Sequence, residues 1–126
     1  WQDFARALDI TLPEGKCVRF GQSLYWAPAA MPELRGLRVL RPGLALGEEK
    51  KGRFEPEHAL ALWLKHAGNE LDLPAESDSL RAYMHGDTVP CSANGWCLVK
   101  VDGYSLGWGK ADGKVLKNHY PKGLRR

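Results

Sequence analysis

Positive side chains gather towards one end of this sequence. Lys110, Lys117, Lys122, Arg125 and Arg126 lie there, interleaved with Asn118, His119 and Tyr120. Cations at that density neutralise phosphates and release their condensed counterions, which gives affinity without regard to base. Arg grips a phosphate with two donors, whereas Lys acts as a mobile point charge. Asn, His and Tyr add hydrogen bonds and stacking surfaces, the usual means of reading single-stranded RNA. Gly107, Gly109 and Gly113 would let a nucleic-acid strand approach the peptide N–H groups closely. The net charge is only +3, but residues 100–126 hold seven basic and two acidic residues, a local +5. The remainder, with eleven basic and thirteen acidic residues, carries −2. Such asymmetry points to a polyanion, with a solvated basic tail as the plain alternative.

Plainer readings accompany the other candidates. Trp108 alternates with Tyr104 and Leu106 on what reads as one strand face, which favours a core residue, with a stacking platform as the alternative. Trp26, Trp63 and Trp96 also read as core, and His58 as structural. His119 has two open readings, a group facing RNA or a hydrogen bond to the neighbouring strand. Gly107 and Gly109 also fit a bulge or tight packing. Arg38 and Arg41 fit either a solvated strand face or an extension of the basic surface.

Cys17, Cys91 and Cys97 are an odd number in a chain too large to depend on disulfide staples, which favours reduced thiols and a cytoplasmic setting. A zinc site wants paired ligands about two to four residues apart, and Cys91 and Cys97 are six apart with no second pair nearby. No metal is expected. No apolar run approaches the roughly 18 residues that span a bilayer, so no membrane partner is expected. The sequence opens on Trp with no basic segment leading into an apolar stretch, so no signal peptide is expected and a fragment of a longer chain is.

These side chains need a scaffold, and 126 residues with a hydrophobic fraction of 44% and five Trp suffice for one domain or two small lobes sharing a core. Apolar residues at 1, 4, 5 and 8 have helical spacing. Cys17 to Phe20 and Ser23 to Trp26 read as strands around a Gly21-Gln22 turn. Residues 37–41 read as a further strand, 44–47 as strand or turn, and Glu48 to Arg53 as a charged loop. Pro56, flanked by Glu55 and Glu57, suits the first turn of a helix running to Gly68-Asn69. The polar segment 68–78 reads as a junction between lobes. Ser77 or Asp78 then caps a short helix through Met84, closed by His85-Gly86. Trp96 to Val101, the Asp102-Gly103 turn, Tyr104 onward, the Asp112-Gly113 turn and Val115 to Tyr120 form a three-stranded meander. The expected fold is α+β: a small mixed β-barrel with flanking helices, preceded by a small α+β lobe packed with it.

Three strings carry a resemblance. Asn94-Gly95-Trp96-Cys97-Leu98-Val99, the Asp102 to Lys110 hairpin, and Lys117-Asn118-His119-Tyr120-Pro121-Lys122-Gly123-Leu124-Arg125 together resemble the C-terminal signature of the RsmF-type, Sun-related RNA cytosine-5 methyltransferases. Leu37 to Gly47 and Gly52 to Leu62 resemble the lobe before it, so the likeness covers most of the chain in the family's order. It implies a pre-PUA lobe over 1–68 and a PUA-like RNA-binding domain over 76–126. It further implies that Lys110, Lys117, Asn118, His119, Tyr120, Lys122, Arg125 and Arg126 hold small-subunit (16S) ribosomal RNA for an N-terminal catalytic domain. That domain would carry S-adenosylmethionine and methylate a cytosine. No cofactor is expected here, because no Gly-rich turn between strand and helix is present and a doubly wound sheet has no room. Asp87-Thr88-Val89-Pro90-Cys91-Ser92 is similar to the family's Pro-Cys-Ser nucleophile motif, but its spacing is looser and Cys91 reads as a plain loop thiol. The chain itself is therefore expected to have no catalytic residue. A second reading makes it a structural module whose basic end docks on the catalytic domain or on a ribosomal protein.

Overall fold

The computed structural model describes residues 1–28 and 43–126. The strand expected over 37–41, with Arg38 and Arg41, lies outside the described residues. A short helix α1 (Gln2–Ala7) leads into a four-stranded antiparallel sheet of β1 (Gly15–Phe20), β2 (Ser23–Pro28), β3 (Leu44–Lys50) and β4 (Arg53–Pro56), paired in that order. Helix α2 (His58–Trp63) follows. A second, five-stranded sheet comprises β5 (Glu70–Leu73), β6 (Val89–Pro90), β7 (Asn94–Val101), β8 (Tyr104–Asp112) and β9 (Val115–Asn118), with helix α3 (Asp78–His85) between β5 and β6. Its order is β5-β7-β8-β9-β6, with β5 parallel to β7 and the other pairs antiparallel. The sheet curls into a half-barrel, so the fold is mixed α+β. A 3-10 turn at Lys122–Leu124 follows β9.

Several expectations of local structure need correction. The charged segment 48–53 is a hairpin: Lys51 and Gly52 take φ of 49° and 77°, the paired positive angles of a tight turn. Glu48 faces Glu55 across it, and Lys50 Nζ lies 3.4 Å and 4.0 Å from those carboxylates, which offsets their repulsion. Pro56 therefore closes β4 instead of opening a helix, and α2 ends at Trp63, well before Gly68. The helix stops because Leu64 turns extended and is buried. The carbonyls freed there are used elsewhere: Ser105 Oγ donates to Leu64, and Lys100 Nζ donates to Lys65 at 2.8 Å. Trp63 and Leu62 are consequently exposed at 45% and 56%, so Trp63 is not a core residue. The polar segment 68–78 contains β5, whose Leu71 and Leu73 pack into the second core while Glu70 and Asp72 alternate with them.

Helix α3 matches its signals. Ser77 Oγ accepts the Leu80 N–H at 3.1 Å, and Gly86 closes the helix with φ of 104°. The meander β7–β8–β9 also forms as read, with one displacement. Val99 faces Gly107 but Lys100 faces Ser105, so Leu106 is an extra residue on β8. Leu106 therefore packs into the cluster of Val99, Tyr83 and Leu116, while Trp108 belongs to the opposite cluster and Tyr104 is exposed at 76%. The three do not share a face.

Trp108 unites the molecule. Its buried indole packs among Phe4, Leu8, Leu24, Leu46, Leu60 and Leu64, all from the N-terminal elements, and Leu98 from β7. The indole N–H donates to the Glu57 carbonyl at 3.0 Å, and the Phe4 ring meets it edge-on at 5.4 Å. One core thus joins both sheets. Trp108→Ala should cost about 3–5 kcal/mol, the range for emptying a large buried aromatic site. Urea unfolding monitored by circular dichroism measures this, and a loss below about 1 kcal/mol would contradict the assigned role.

Candidate nucleic-acid interface

The hairpin registers place the basic side chains. Trp96 on β7 faces Lys110 on β8, and Lys110 faces Lys117 on β9, so the three form a row across the sheet. His119 lies two residues beyond Lys117, on the same face. Its ring and that of Trp96 meet in a T-shaped contact with centroids 4.6 Å apart, and Lys110 Nζ sits 5.3 Å from the Trp96 ring centroid. Lys110, Lys117 and His119 are all exposed. The strand sequence explains the arrangement: Leu116 and Asn118 point into the second core, which leaves Lys117 and His119 outward.

Partial burial lowers the His119 pKa below the usual value for histidine. Glu55 opposes that shift, while the charges of Lys110, Arg125 and Lys117 add to it. Arg125 is half-buried; its Nε donates to the Tyr120 carbonyl at 3.2 Å, and its side chain lies where a Cβ on Gly86 would fall. Lys122 is exposed in the 3-10 turn. Arg126 is exposed beside α3, its N–H donating to Met84 and its carbonyl contacting His85 Nδ1 at 2.7 Å.

Two predicted contact residues are spent on the fold. The Asn118 amide donates to the Tyr83 carbonyl at 2.7 Å and to Asp87 at 3.0 Å, while its oxygen accepts the Tyr120 N–H at 2.8 Å. Tyr120 is buried against Tyr83, with ring centroids 5.2 Å apart. His119 combines its two readings, since its backbone N–H donates to the Trp108 carbonyl at 3.2 Å while its ring stays at the surface. Lys100, one of the seven basic residues counted towards the tail, is buried. Its Nζ lies 3.2 Å from Glu70, so its charge is withdrawn from the surface. Burial works against the Glu70 carboxylate, but the Ala67 N–H and Lys100 outweigh it and hold the pKa below the usual range. The glycines mark close packing: a Cβ on Gly107 would strike Tyr83 Oη, and one on Gly109 would strike Leu116. Cys91 follows the edge strand β6, its N–H donating to the Lys114 carbonyl at 3.0 Å, and burial pushes the Cys97 thiol up to about 12. Trp96 and Arg53, which reading the sequence did not select, border the basic row; both line a groove with Lys110.

Residues 3–64 match the family described as RsmF rRNA methyltransferase first C-terminal domain, and residues 63–126 match the one described as Methyltransferase RsmF PUA domain. The chain is 35% identical over 127 residues to the ribosomal RNA small subunit methyltransferase F of Vibrio atlanticus, covering 95% of this chain and 26% of that protein. It is 31% identical over 131 residues to the protein of the same name from Vibrio parahaemolyticus, covering 95% and 27%. The chain therefore spans about a quarter of the length of these curated relatives. With both matches in sequence order along one continuous core, the chain belongs to the RsmF ribosomal RNA methyltransferase family and carries its first C-terminal domain followed by its PUA domain.

Proposed function

We propose that this chain is an RNA-binding module that holds small-subunit ribosomal RNA for a cytosine-5 methyltransferase domain elsewhere in the same protein. The observation that carries this reading is the exposed row that Lys110 and Lys117 form across β8 and β9, continued by His119 beside Trp96. A patch of this kind binds phosphates by charge and orients the strand, and orientation contributes to rate even when made far from the reacting atoms. Lys122 and Arg126 extend it, while Asn118 and Tyr120 act by holding β9 in place. The division into a lobe over 1–68 and an RNA-binding domain over 76–126 belongs to the same proposal.

S-adenosylmethionine, in this reading, binds the part of the relatives that this chain does not match. The residues described do not fit it. The turn from β5 into α3 reads Pro74-Ala75-Glu76-Ser77, with no glycine to let a cofactor approach the backbone. A contact with the catalytic domain is favoured separately by the exposed apolar side chains of Leu62 and Trp63.

Titrating ribosomal RNA fragments with this chain across a salt series tests the proposal. Lys117→Ala should weaken binding and lower the slope of log K against log salt by about one unit. Asn118→Ala should instead lower stability by about 1–3 kcal/mol, because the Asp87 carbonyl and the Tyr120 N–H lose their partner, and leave the slope unchanged. A slope indifferent to Lys117 would overturn the phosphate role. A pH series adds an independent check. His119 is held below the ordinary value of about 6.5, so it is neutral at pH 7, and acidification brings a new cation into the patch. RNA binding should tighten as pH falls below about 6.5, and His119→Gln should remove that gain. Stability should move the other way, since a neutral, packed imidazole resists a proton that the unfolded chain accepts.

A further inference from the structure

A groove of about 500 Å³ runs beside the basic row, between the N-terminal elements and the β7–β8 hairpin. Trp96 and Phe54 give it aromatic surface, Arg53 and Lys110 give it two positive charges against the one carboxylate of Asp3, and Asn69 and Asn94 give it neutral polar groups. We propose that this groove receives a single unpaired RNA nucleotide, its base stacked on Trp96 and its phosphate held by Lys110 and Arg53. The proposal rests on the RNA-binding reading above and adds to it a site and a preference for single strands.

The environment of Trp96 carries the argument. Its protein aromatic neighbours meet it at steep angles, Phe4 at 71° and His119 at 64°, so neither ring lies parallel to the indole as a stacked base would. What lies over the indole ring is the Lys110 ammonium. A cation–π contact at an exposed site is weaker than the stacking of a base on an aromatic ring. An incoming base therefore displaces Lys110 with a net gain, and the released ammonium meets the nucleotide's own phosphate. Trp96 is also held firmly for this purpose. The Asn69 amide donates to the carbonyls of Asn94 and Trp96 at 3.1 Å and 2.9 Å, which fixes the start of β7 and leaves the Asn69 carbonyl oxygen as an acceptor. The exposed Asn94 amide adds a donor and an acceptor at the rim.

Size and chemistry exclude a duplex from the groove. A volume of this order suits a small ligand, and paired bases present neither a free face nor a free edge. Phosphate contacts along the Lys110–Lys117 row need no unpaired base, so duplex and single strand share that surface and differ only at the groove.

The test measures binding of this chain to a single-stranded RNA decamer and to a hairpin of matched charge. Trp96→Leu should weaken the single strand about 10-fold and the hairpin less than about 2-fold. Trp96→Phe should restore most of the loss. Asn94→Ala, a surface change that spares the core, should weaken the single strand alone by about 3-fold. Equal losses on both RNAs, or no loss on the single strand from either Trp96→Leu or Asn94→Ala, would overturn the nucleotide site while leaving the phosphate surface standing. Absence of RNA binding by the unaltered chain would overturn the broader reading as well.

Discussion

Three bonds meet at Trp108. Its indole N–H donates to the carbonyl of Glu57, at the entry to α2. Its own carbonyl accepts both the Tyr83 hydroxyl of α3, at 2.8 Å, and the backbone N–H of His119. A buried carbonyl with two acceptor positions filled, on a residue whose ring fills the shared core, ties the first sheet, α3 and the strand carrying the basic row to one point. The same arrangement sets the Tyr83 hydroxyl well above its ordinary range, chiefly through burial, so it stays protonated and keeps donating. Gly107 is required beside it, because any side chain there would take the space of the Tyr83 oxygen. The surface chemistry of His119 is thus anchored from below.

The ion pair between Lys100 and Glu70 has a similar part at the other end of β7. Burying a lysine is costly unless its donors are used. Here they are, since Nζ reaches both the Glu70 carboxylate and the Lys65 carbonyl, and Glu70 also accepts the Ala67 N–H at 2.7 Å. That network pins the chain leaving α2 to the parallel strand β5. It also shows why counting charges along a sequence overstates a surface: Lys100 adds to the local total yet offers nothing to a partner.

The sequence was most informative where a local rule dominated. Ser77 and Gly86 bracket α3 because caps answer to the nearest backbone groups, and the turn glycines Gly103 and Gly113 with their preceding Asp residues define the meander for the same reason. It was less informative where tertiary partners replaced local ones. The end of α2 is decided by Ser105 and Lys100, some forty residues away, and β5 exists because a strand is available to pair with it. The Lys51-Gly52 turn was concealed by a lysine at positive φ, an angle that residues with side chains seldom adopt. For the basic face, residue types were legible and placement was not. Counting back from the Asp102-Gly103 turn in strict register sets Trp96 opposite Gly109. The bulge at Leu106 moves the pairing by one, and Trp96 comes to face Lys110.

That one-residue displacement decides which side chains become cross-strand neighbours, which composition cannot show. Without it, Trp96 would face a glycine on β8, and no ammonium would lie opposite its ring. With it, aromatic and cation are cross-strand neighbours, and Lys117 continues the row on the next strand. The bulge also keeps Trp108 directed into the shared core while Leu106 fills the other, so the feature that creates the surface row keeps the two sheets joined. The groove lies at that junction, lined by Phe4 and Phe54 from the first part and by Trp96 and Lys110 from the second. Neither part encloses it alone. A binding site made at a seam inherits the rigidity of the core beneath it, and here that core is continuous from α1 through Trp108 to β7. On the proposed reading, holding an RNA strand in fixed orientation would draw on this stiffness, because phosphate contacts alone tolerate sliding.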